Sequence, residues 1–83
     1  MKITLKLFAT LADYLPPDSP SNQVEVEVAP SDAVVAVLER FHLPPQLVHL
    51  VLVNGVYLPP AERQSRCLAE GDQLAVWPPI AGG

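Results

Sequence analysis

The chain has 83 residues and a formal net charge of −4, with nine acidic and five basic side chains. This length allows one small domain, and the acidic balance excludes nucleic acid as an expected partner, because phosphate binding requires a basic surface. Cys67 is the only cysteine, which excludes an internal disulfide and indicates a reducing compartment. No apolar run is as long as a signal peptide or membrane span, so the sequence predicts a soluble, cytoplasmic protein without membrane contact.

Prolines divide the chain into segments. Eight of the ten prolines form four pairs, at positions 16–17, 44–45, 59–60 and 78–79. A proline lacks a backbone donor and restricts the residue before it, so such pairs are expected at the ends of helices and strands.

The first half of the chain predicts two strands. Residues 2–8 and 23–29 alternate between apolar and polar side chains, which is typical of half-buried strands. The predicted inward residues are Ile3, Leu5, Leu7, Val24, Val26 and Val28. Antiparallel pairing would place the outward lysines of the first strand opposite the outward glutamates of the second. The segment between them contains Pro, Asp, Ser and Asn, which predicts a loop.

A helix is predicted at about residues 32–42. Ser31 is a plausible N-cap, and Asp32 adds negative charge where the helix dipole favours it. Pro44 ends the helix, and His42 is interpreted as a residue at its end. An apolar stripe at helical spacing is expected in the core and consists of Val34, Val37, Leu38 and Phe41.

The second half predicts a hairpin and a final strand. An apolar run over residues 50–53 precedes Asn54-Gly55, a strong signal for a tight hairpin, and residues 56–58 form the short return. Residues 70–72 form a turn before the last strand at 73–77. Leu74 and Val76 share one face of that strand, and Ala75 and Trp77 share the other. Periodicity alone therefore predicts an α+β fold with one helix on a sheet.

The end of the sequence adds a resemblance to a known family. The stretch LAEGDQLAVWPPIAGG resembles the C-terminal signature of ubiquitin-like sulfur carriers, above all the small subunit of molybdopterin synthase. The early FATLADYL and the later LVNG are similar to that family too. The resemblance implies a β-grasp fold, with a mixed sheet of four or five strands packed on one main helix and with the first and last strands central and parallel. The expected division is a β-grasp domain at 1–78 and a flexible tail at 79–83. The segment HLPPQ is shorter than the family often has.

The resemblance also implies a function. A partner adenylating enzyme would consume ATP to activate the carboxylate of Gly83, and a sulfur donor enzyme would then convert it to a thiocarboxylate. The proteins expected to act with this chain are those two enzymes and the large subunit of molybdopterin synthase. Gly82 and Gly83 would thread a narrow channel because they carry no side chains. Pro78 and Pro79 would hold the tail extended. The chain would then be a carrier acted on by enzymes, with no bound cofactor or metal.

Other functions share this tail. Sulfur carriers of thiamin synthesis and of tRNA thiolation end in Gly-Gly, and so do modifiers that become conjugated to lysines. A β-grasp interaction module with an inert tail is a further alternative. The residues of this chain do not show which of these pathways receives the sulfur.

Partner binding is predicted around the last strand. Trp77 lies on the face of the last strand that points away from the core. It is expected to form an exposed apolar patch with Ala75 and with every second residue of the run at 50–53. Leu50 and Leu52 are the candidates from that run. The tail residues expected to contact the partner are Pro78, Pro79, Ile80 and Ala81.

Other reactive side chains carry no predicted site. Cys67 has no activating histidine beside it in the sequence and is interpreted as a small packing residue. His42, His49 and Cys67 lack metal-ligand spacing, and His49 is interpreted as an ordinary strand residue. No catalytic triad pattern or glycine-rich phosphate loop is recognisable.

Overall fold

The computed structural model describes residues 1–79, so the predicted contacts of Ile80, Ala81, Gly82 and Gly83 lie outside the described residues. The strands and the α-helix are, in chain order, β1 (Lys2–Leu7), β2 (Gln23–Glu27), α1 (Val34–Arg40), β3 (Leu50–Val53), β4 (Val56–Tyr57) and β5 (Gln73–Trp77). Short 3-10 turns lie between them, at Ala9–Tyr14, Pro20–Asn22, Pro45–Leu47 and Pro60–Glu62.

The strands form one mixed sheet in the order β2-β1-β5-β3-β4. β1 runs parallel to β5 and antiparallel to β2, while β3 runs antiparallel to both β5 and β4. The first and last strands are therefore central and parallel, which confirms the predicted α+β, β-grasp fold. The predicted cross-strand charge pairing holds for Lys2, which lies opposite Glu27, but is wrong for Lys6, which lies opposite Gln23.

The core lies between one face of the sheet and α1. Alternation in β1 and β5 buries every second side chain, and Leu5 and Leu74 are 0% exposed. The helix contributes Val34, Val37 and Leu38 to the same cluster. Burying a side chain of this size contributes about 1.5–3 kcal/mol to folding, which outweighs the poor helix propensity of valine.

Three leucines that precede proline pairs are buried in the core. Leu15, Leu43 and Leu58 are at most 9% exposed, and each stands directly before a pair of prolines. In the second and third of these segments the latter proline, Pro45 or Pro60, opens a 3-10 turn. Proline suits a first helical position because its fixed φ is helical and the missing N–H would have no partner there. The three leucines thus attach the proline-containing segments, which lie outside the strands and α1, to the core.

The start of α1 differs from the prediction. The N-cap is Ala33, not Ser31, and it offers no side-chain hydrogen bond. The N–H of Val34 donates to the Arg66 carbonyl at 2.9 Å, and the N–H of Val35 donates to the Arg63 carbonyl at 3.0 Å. Backbone carbonyls from a distant segment therefore replace the side-chain cap. Asp32 instead accepts a hydrogen bond from the Ala29 N–H at 2.9 Å.

The end of α1 places Phe41 at the border of the core. Phe41 packs against the core cluster as predicted, but it is the C-cap residue and is half-buried, whereas Val34, Val37 and Leu38 are buried. His42 follows with a φ of 57°, as expected for a residue at the end of a helix.

A hydrogen-bonded clasp joins the β3–β4 hairpin to the turn before β5. Asn54 and Gly55 have φ of 53° and 82°, the positive values that a tight type I′ hairpin requires. The Asn54 amide donates to the Asp72 carboxylate at 2.9 Å and accepts from the Gln73 N–H at 2.9 Å. The Ala69 N–H donates to the other Asp72 oxygen at 2.8 Å. The hydrogen bond from Ala69 and then that from Asn54 lower the pKa of the Asp72 carboxyl.

This clasp predicts a dependence of stability on pH. The ionised form of Asp72 is favoured in the folded state, so its contribution is complete above the unfolded pKa of about 3.9 and is lost as pH falls through the lower folded pKa. We expect Asp72→Asn to reduce the free energy of unfolding at pH 7 by about 1–2 kcal/mol. The difference from wild type should be full at about pH 5 and should shrink as the pH falls below about 4. Urea denaturation across this range measures it.

Asp18→Asn is the control, because Asp18 is exposed in the proline-rich loop. It removes the same charge without touching the clasp. A pH-independent difference between Asp72→Asn and wild type would contradict a charge-assisted clasp at Asp72.

Candidate functional site

The face of the sheet opposite the core is divided into an apolar half and a charged half. On β5, β3 and β4 the outward residues are apolar except for the exposed Gln73 at the start of β5. Leu50 lies opposite Trp77, and Leu52 lies opposite both Ala75 and Tyr57. We call this group, together with Phe8, the outer patch; its members are Phe8, Leu50, Leu52, Tyr57, Ala75 and Trp77. All are half-buried except Tyr57, which is 51% exposed.

Stacked rings hold one end of the outer patch. The rings of Phe8 and Trp77 are 4.2 Å apart between centroids and 1° from parallel. Each ring covers one face of the other, which explains why Trp77 is half-buried although it points away from the core. Aromatic pairs at this distance add about 0.5–1.5 kcal/mol to the free energy of unfolding beyond their burial.

The backbone beside this stack fixes where the chain leaves the sheet. The Phe8 N–H donates to the Val76 carbonyl and the His49 N–H donates to the Trp77 carbonyl, each at 3.1 Å. Pro78 and Pro79 follow and have no N–H to donate, so β5 cannot extend its pairing through them. The central strand therefore ends at the outer patch, and the chain continues from there towards the glycines.

The outward residues of β1 and β2 form the charged half of this face. The basic residue nearest the outer patch is Lys6, which lies opposite Ala75 on one side and Gln23 on the other. Beyond it, Glu25 lies opposite Thr4 and Glu27 opposite Lys2. The outer patch thus has one positive side chain at its border, and carboxylates are a full strand further away.

The structure places the described members of the predicted site together. Trp77 and Pro78 are half-buried and Pro79 is exposed, all at the end of β5. Leu50 and Leu52 share the face of Trp77, while Val51 and Val53 are buried, so Leu50 and Leu52 are the outward residues of β3. The sequence interpretation missed Phe8 and Tyr57. Phe8 was recognisable, because it continues the alternation of outward residues along β1.

The reactive side chains lie elsewhere. Cys67 is exposed, so its interpretation as a packing residue is wrong. Its backbone pairs with Ala33, and the next residue, Leu68, occupies the core position instead. His49 precedes β3 and is exposed. Within residues 1–79, no three His, Cys, Asp or Glu side chains are grouped to hold a metal ion. In that same part of the chain, no helix has the length and apolar character that crossing a membrane requires.

Comparison with protein families agrees with this architecture. Residues 1–81 match the model of the family described as Mut7-C ubiquitin. The chain belongs to the Mut7-C ubiquitin family. The match ends at Ala81, so it supports the β-grasp domain and does not extend over the last two glycines. No curated protein matches this Mut7-C ubiquitin chain significantly.

Solved structures similar to this Mut7-C ubiquitin domain include two from Haloferax volcanii. One is SAMP1, with 28% identity, a TM-score of 0.71 and full coverage of both chains. The other is the HVO 2177 protein, with 25% identity, a TM-score of 0.78 and coverage of all of this chain and 87% of that one. One chain of the complex of molybdopterin-converting factor subunits 1 and 2 from Helicobacter pylori has 14% identity, a TM-score of 0.62 and full coverage of both chains. That last similarity bears on the fold alone.

The stacked rings predict a fluorescence response. Trp77 is the only tryptophan, so it reports on the outer patch without interference. Phe8→Ala should expose one face of the indole, increase acrylamide quenching and shift the emission to longer wavelength. The cost in stability should be about 1–2 kcal/mol. Tyr14→Ala, at a partly exposed tyrosine in the first 3-10 turn, is the control and should leave quenching unchanged. Equal quenching in wild type and Phe8→Ala would contradict the stack.

Proposed function

We propose that this Mut7-C ubiquitin domain is a sulfur carrier whose final glycine, Gly83, is activated and loaded with sulfur for molybdopterin synthesis. An oxygen of the Gly83 carboxylate attacks the α-phosphorus of ATP, and pyrophosphate leaves. The outer sulfur of a persulfide on the sulfur donor enzyme then attacks the acyl carbon and displaces AMP, which gives an acyl disulfide. A thiol cleaves that disulfide by forming a new disulfide with the donor's sulfur, and the thiocarboxylate is released. These steps take place in partner enzymes, and this chain supplies the docking surface and the reacting carboxylate.

The observation that carries the proposal is the position at which β5 ends. A central strand, paired on both sides, stops at Trp77 beside the outer patch, and two prolines follow. A partner that binds the outer patch therefore also fixes the position at which the tail begins. The remaining residues, Ile80 to Gly83, need only reach from that point into an active site. Restricting one end of a short tail reduces the entropy lost when its other end is bound.

The outer patch has the composition of a docking surface. Aromatic side chains are enriched at the energetic centre of protein interfaces, and here Phe8, Trp77 and Tyr57 accompany two leucines. Lys6 at the border favours a partner with an acidic side chain facing it, which would increase the association rate and set the orientation. The proposed partner at this surface is the adenylating enzyme, and after loading it is the large subunit of molybdopterin synthase. The complex of the two Helicobacter pylori subunits supports the second partner only through similarity of fold.

A protein modifier is the second candidate function. The observation that favours it is the 28% identity with SAMP1 over the full length of both chains. The name SAMP1 stands for small archaeal modifier protein 1. A modifier uses the same activation at the last glycine, but the acyl group ends as an amide on a lysine. Carriers for thiamin synthesis or tRNA thiolation would give the same loaded species as the leading proposal and differ only in the acceptor.

The test is intact-mass spectrometry of the chain after incubation with ATP, the adenylating enzyme of its organism and a sulfur donor. We expect sulfur to replace one oxygen at Gly83, and C-terminal peptide mapping should locate it there. Deleting Gly83 should abolish loading without lowering stability, because the core cluster is formed by residues between Met1 and Val76. Trp77→Ala should reduce loading at low protein concentration and recover at high concentration, as a docking defect would.

Two results would overturn the sulfur-carrier proposal. Adenylation that ends only in lysine conjugates would support the modifier instead. Absence of adenylation by every adenylating enzyme of the organism would contradict both functions and would leave an interaction module. The mass of the untreated native protein also tests whether Gly83 carries the free carboxylate that the mechanism needs.

A further inference from the structure

A cleft on the helix side of the sheet is separate from the outer patch. Its apolar walls come from Val35 and Leu38 of α1 and from Leu43 and Val48 of the segment that leads to β3. Two prolines, which have no N–H, complete the walls. Two charged residues also line this cleft, Glu39 and Arg63. The mixture of apolar walls and one buried charge distinguishes it from the other surface depressions of the described chain.

Arg63 is the buried charged residue of the described chain, and it is only 9% exposed. Its Nη2 donates to the His49 carbonyl at 3.0 Å. Its Nη1 and Nε contact the carbonyls of Val48 and Leu58, each at 3.4 Å, which is longer than an ordinary N–H···O hydrogen bond. A guanidinium has five N–H donors, so this group retains capacity for a further acceptor.

The positive charge of Arg63 has no carboxylate partner within residues 1–79. In that range the one ion pair within 4 Å joins the N-terminal amine to Glu27. The three acceptors around the guanidinium are neutral carbonyls. A buried charge is costly unless an opposite charge or strong hydrogen bonds compensate it, and the planar guanidinium matches a carboxylate with two parallel hydrogen bonds.

We propose that this cleft binds a carboxylate carried on a short apolar group. The carboxylate oxygens would accept hydrogen bonds from Arg63, displacing its two long contacts, and the apolar group would lie against Leu38, Leu43 and Val48. The cleft is on the core side of the sheet and the outer patch is on the other. A ligand here therefore leaves the outer patch uncovered, and the inference does not rest on the proposed sulfur chemistry.

Glu39 supplies an internal test of the electrostatics. It is exposed at the rim of the cleft, and its negative charge opposes the entry of an anion. Glu39→Gln should therefore tighten carboxylate binding by roughly two- to fivefold, as expected for one partly screened charge. Glu25→Gln makes the same change in net charge on the outward face of β2, opposite Thr4, and should leave the affinity unchanged.

The experiment is an NMR titration of the isotope-labelled full chain with sodium butyrate at constant ionic strength. We expect saturable shifts of the methyl groups of Leu38, Leu43 and Val48 and of the Arg63 Nε–H, with a Kd on the order of 10 mM. Butyramide has the same shape without the charge and should bind at least tenfold more weakly. Arg63→Met should abolish butyrate binding while the spectrum stays folded.

The source of the carboxylate is distinguished by a second probe. N-acetylvaline imitates the C-terminal residue of a peptide, and tighter binding of it than of butyrate would identify a peptide terminus as the ligand. Tighter binding of butyrate would identify a free acid.

Three outcomes would overturn the proposal. They are equal binding of butyrate and butyramide, shifts that scatter over the surface without saturation, and equal effects of Glu39→Gln and Glu25→Gln. If Arg63→Met fails to fold, the comparison of the two glutamate variants still decides, because both sites are exposed.

Discussion

The parallel pairing of β1 with β5 is the contact on which the rest of the structure depends. These strands are separated by most of the chain, yet Leu5 lies opposite Leu74 and Leu7 opposite Val76 at the centre of the sheet. The inward side chains of both strands form the centre of the apolar surface that α1 covers, with Val26 of β2 and Val51 and Val53 of β3 on either side. Every other strand attaches to one of these two, except β4, which attaches through β3. Ordering so distant a pair costs loop-closure entropy that only this burial offsets.

The same pairing determines what the outward face offers. Because β5 is central, its end is held on both sides: the Phe8 N–H, just after β1, donates to the Val76 carbonyl, and the His49 N–H, just before β3, donates to the Trp77 carbonyl. The two prolines then end the strand at a residue that is also part of the outer patch. A tail that started from an edge strand would lack this second support. The strand order therefore determines both where the tail begins and which residues form the outer patch.

The parts of this structure that were predictable are those fixed by local pattern. Alternation located β1, β2 and β5, and Asn54-Gly55 identified the hairpin, because the positive φ values of its turn favour these two residues. The same alternation correctly placed Trp77 away from Leu74 and Val76. The strand order came from a resemblance, since periodicity does not say which strands are neighbours.

The errors arose where distant segments meet. Ser31 looked like an N-cap, but the carbonyls of Arg63 and Arg66 satisfy the first helical N–H groups, and no local pattern reveals such partners. Cys67 was taken for a packing residue, although the irregular segment around it has no periodicity from which burial is readable. Arg63 lies in that segment as well, which is why the cleft beside it had no signal in the sequence. Part of the outer patch was predictable, because its strands alternate regularly between inward and outward residues.

The central claim is that the outer patch, and not the helix side, receives the partner that acts on the tail. The most direct measurement is NMR cross-saturation of the methyl-labelled chain in complex with the unlabelled adenylating enzyme of its organism. We expect saturation transfer to the methyl groups of Leu50, Leu52 and Ala75, with little transfer to those of Val35 and Leu43. Transfer confined to Val35 and Leu43 would contradict it, because the partner would then hold the face of the molecule opposite to the outer patch.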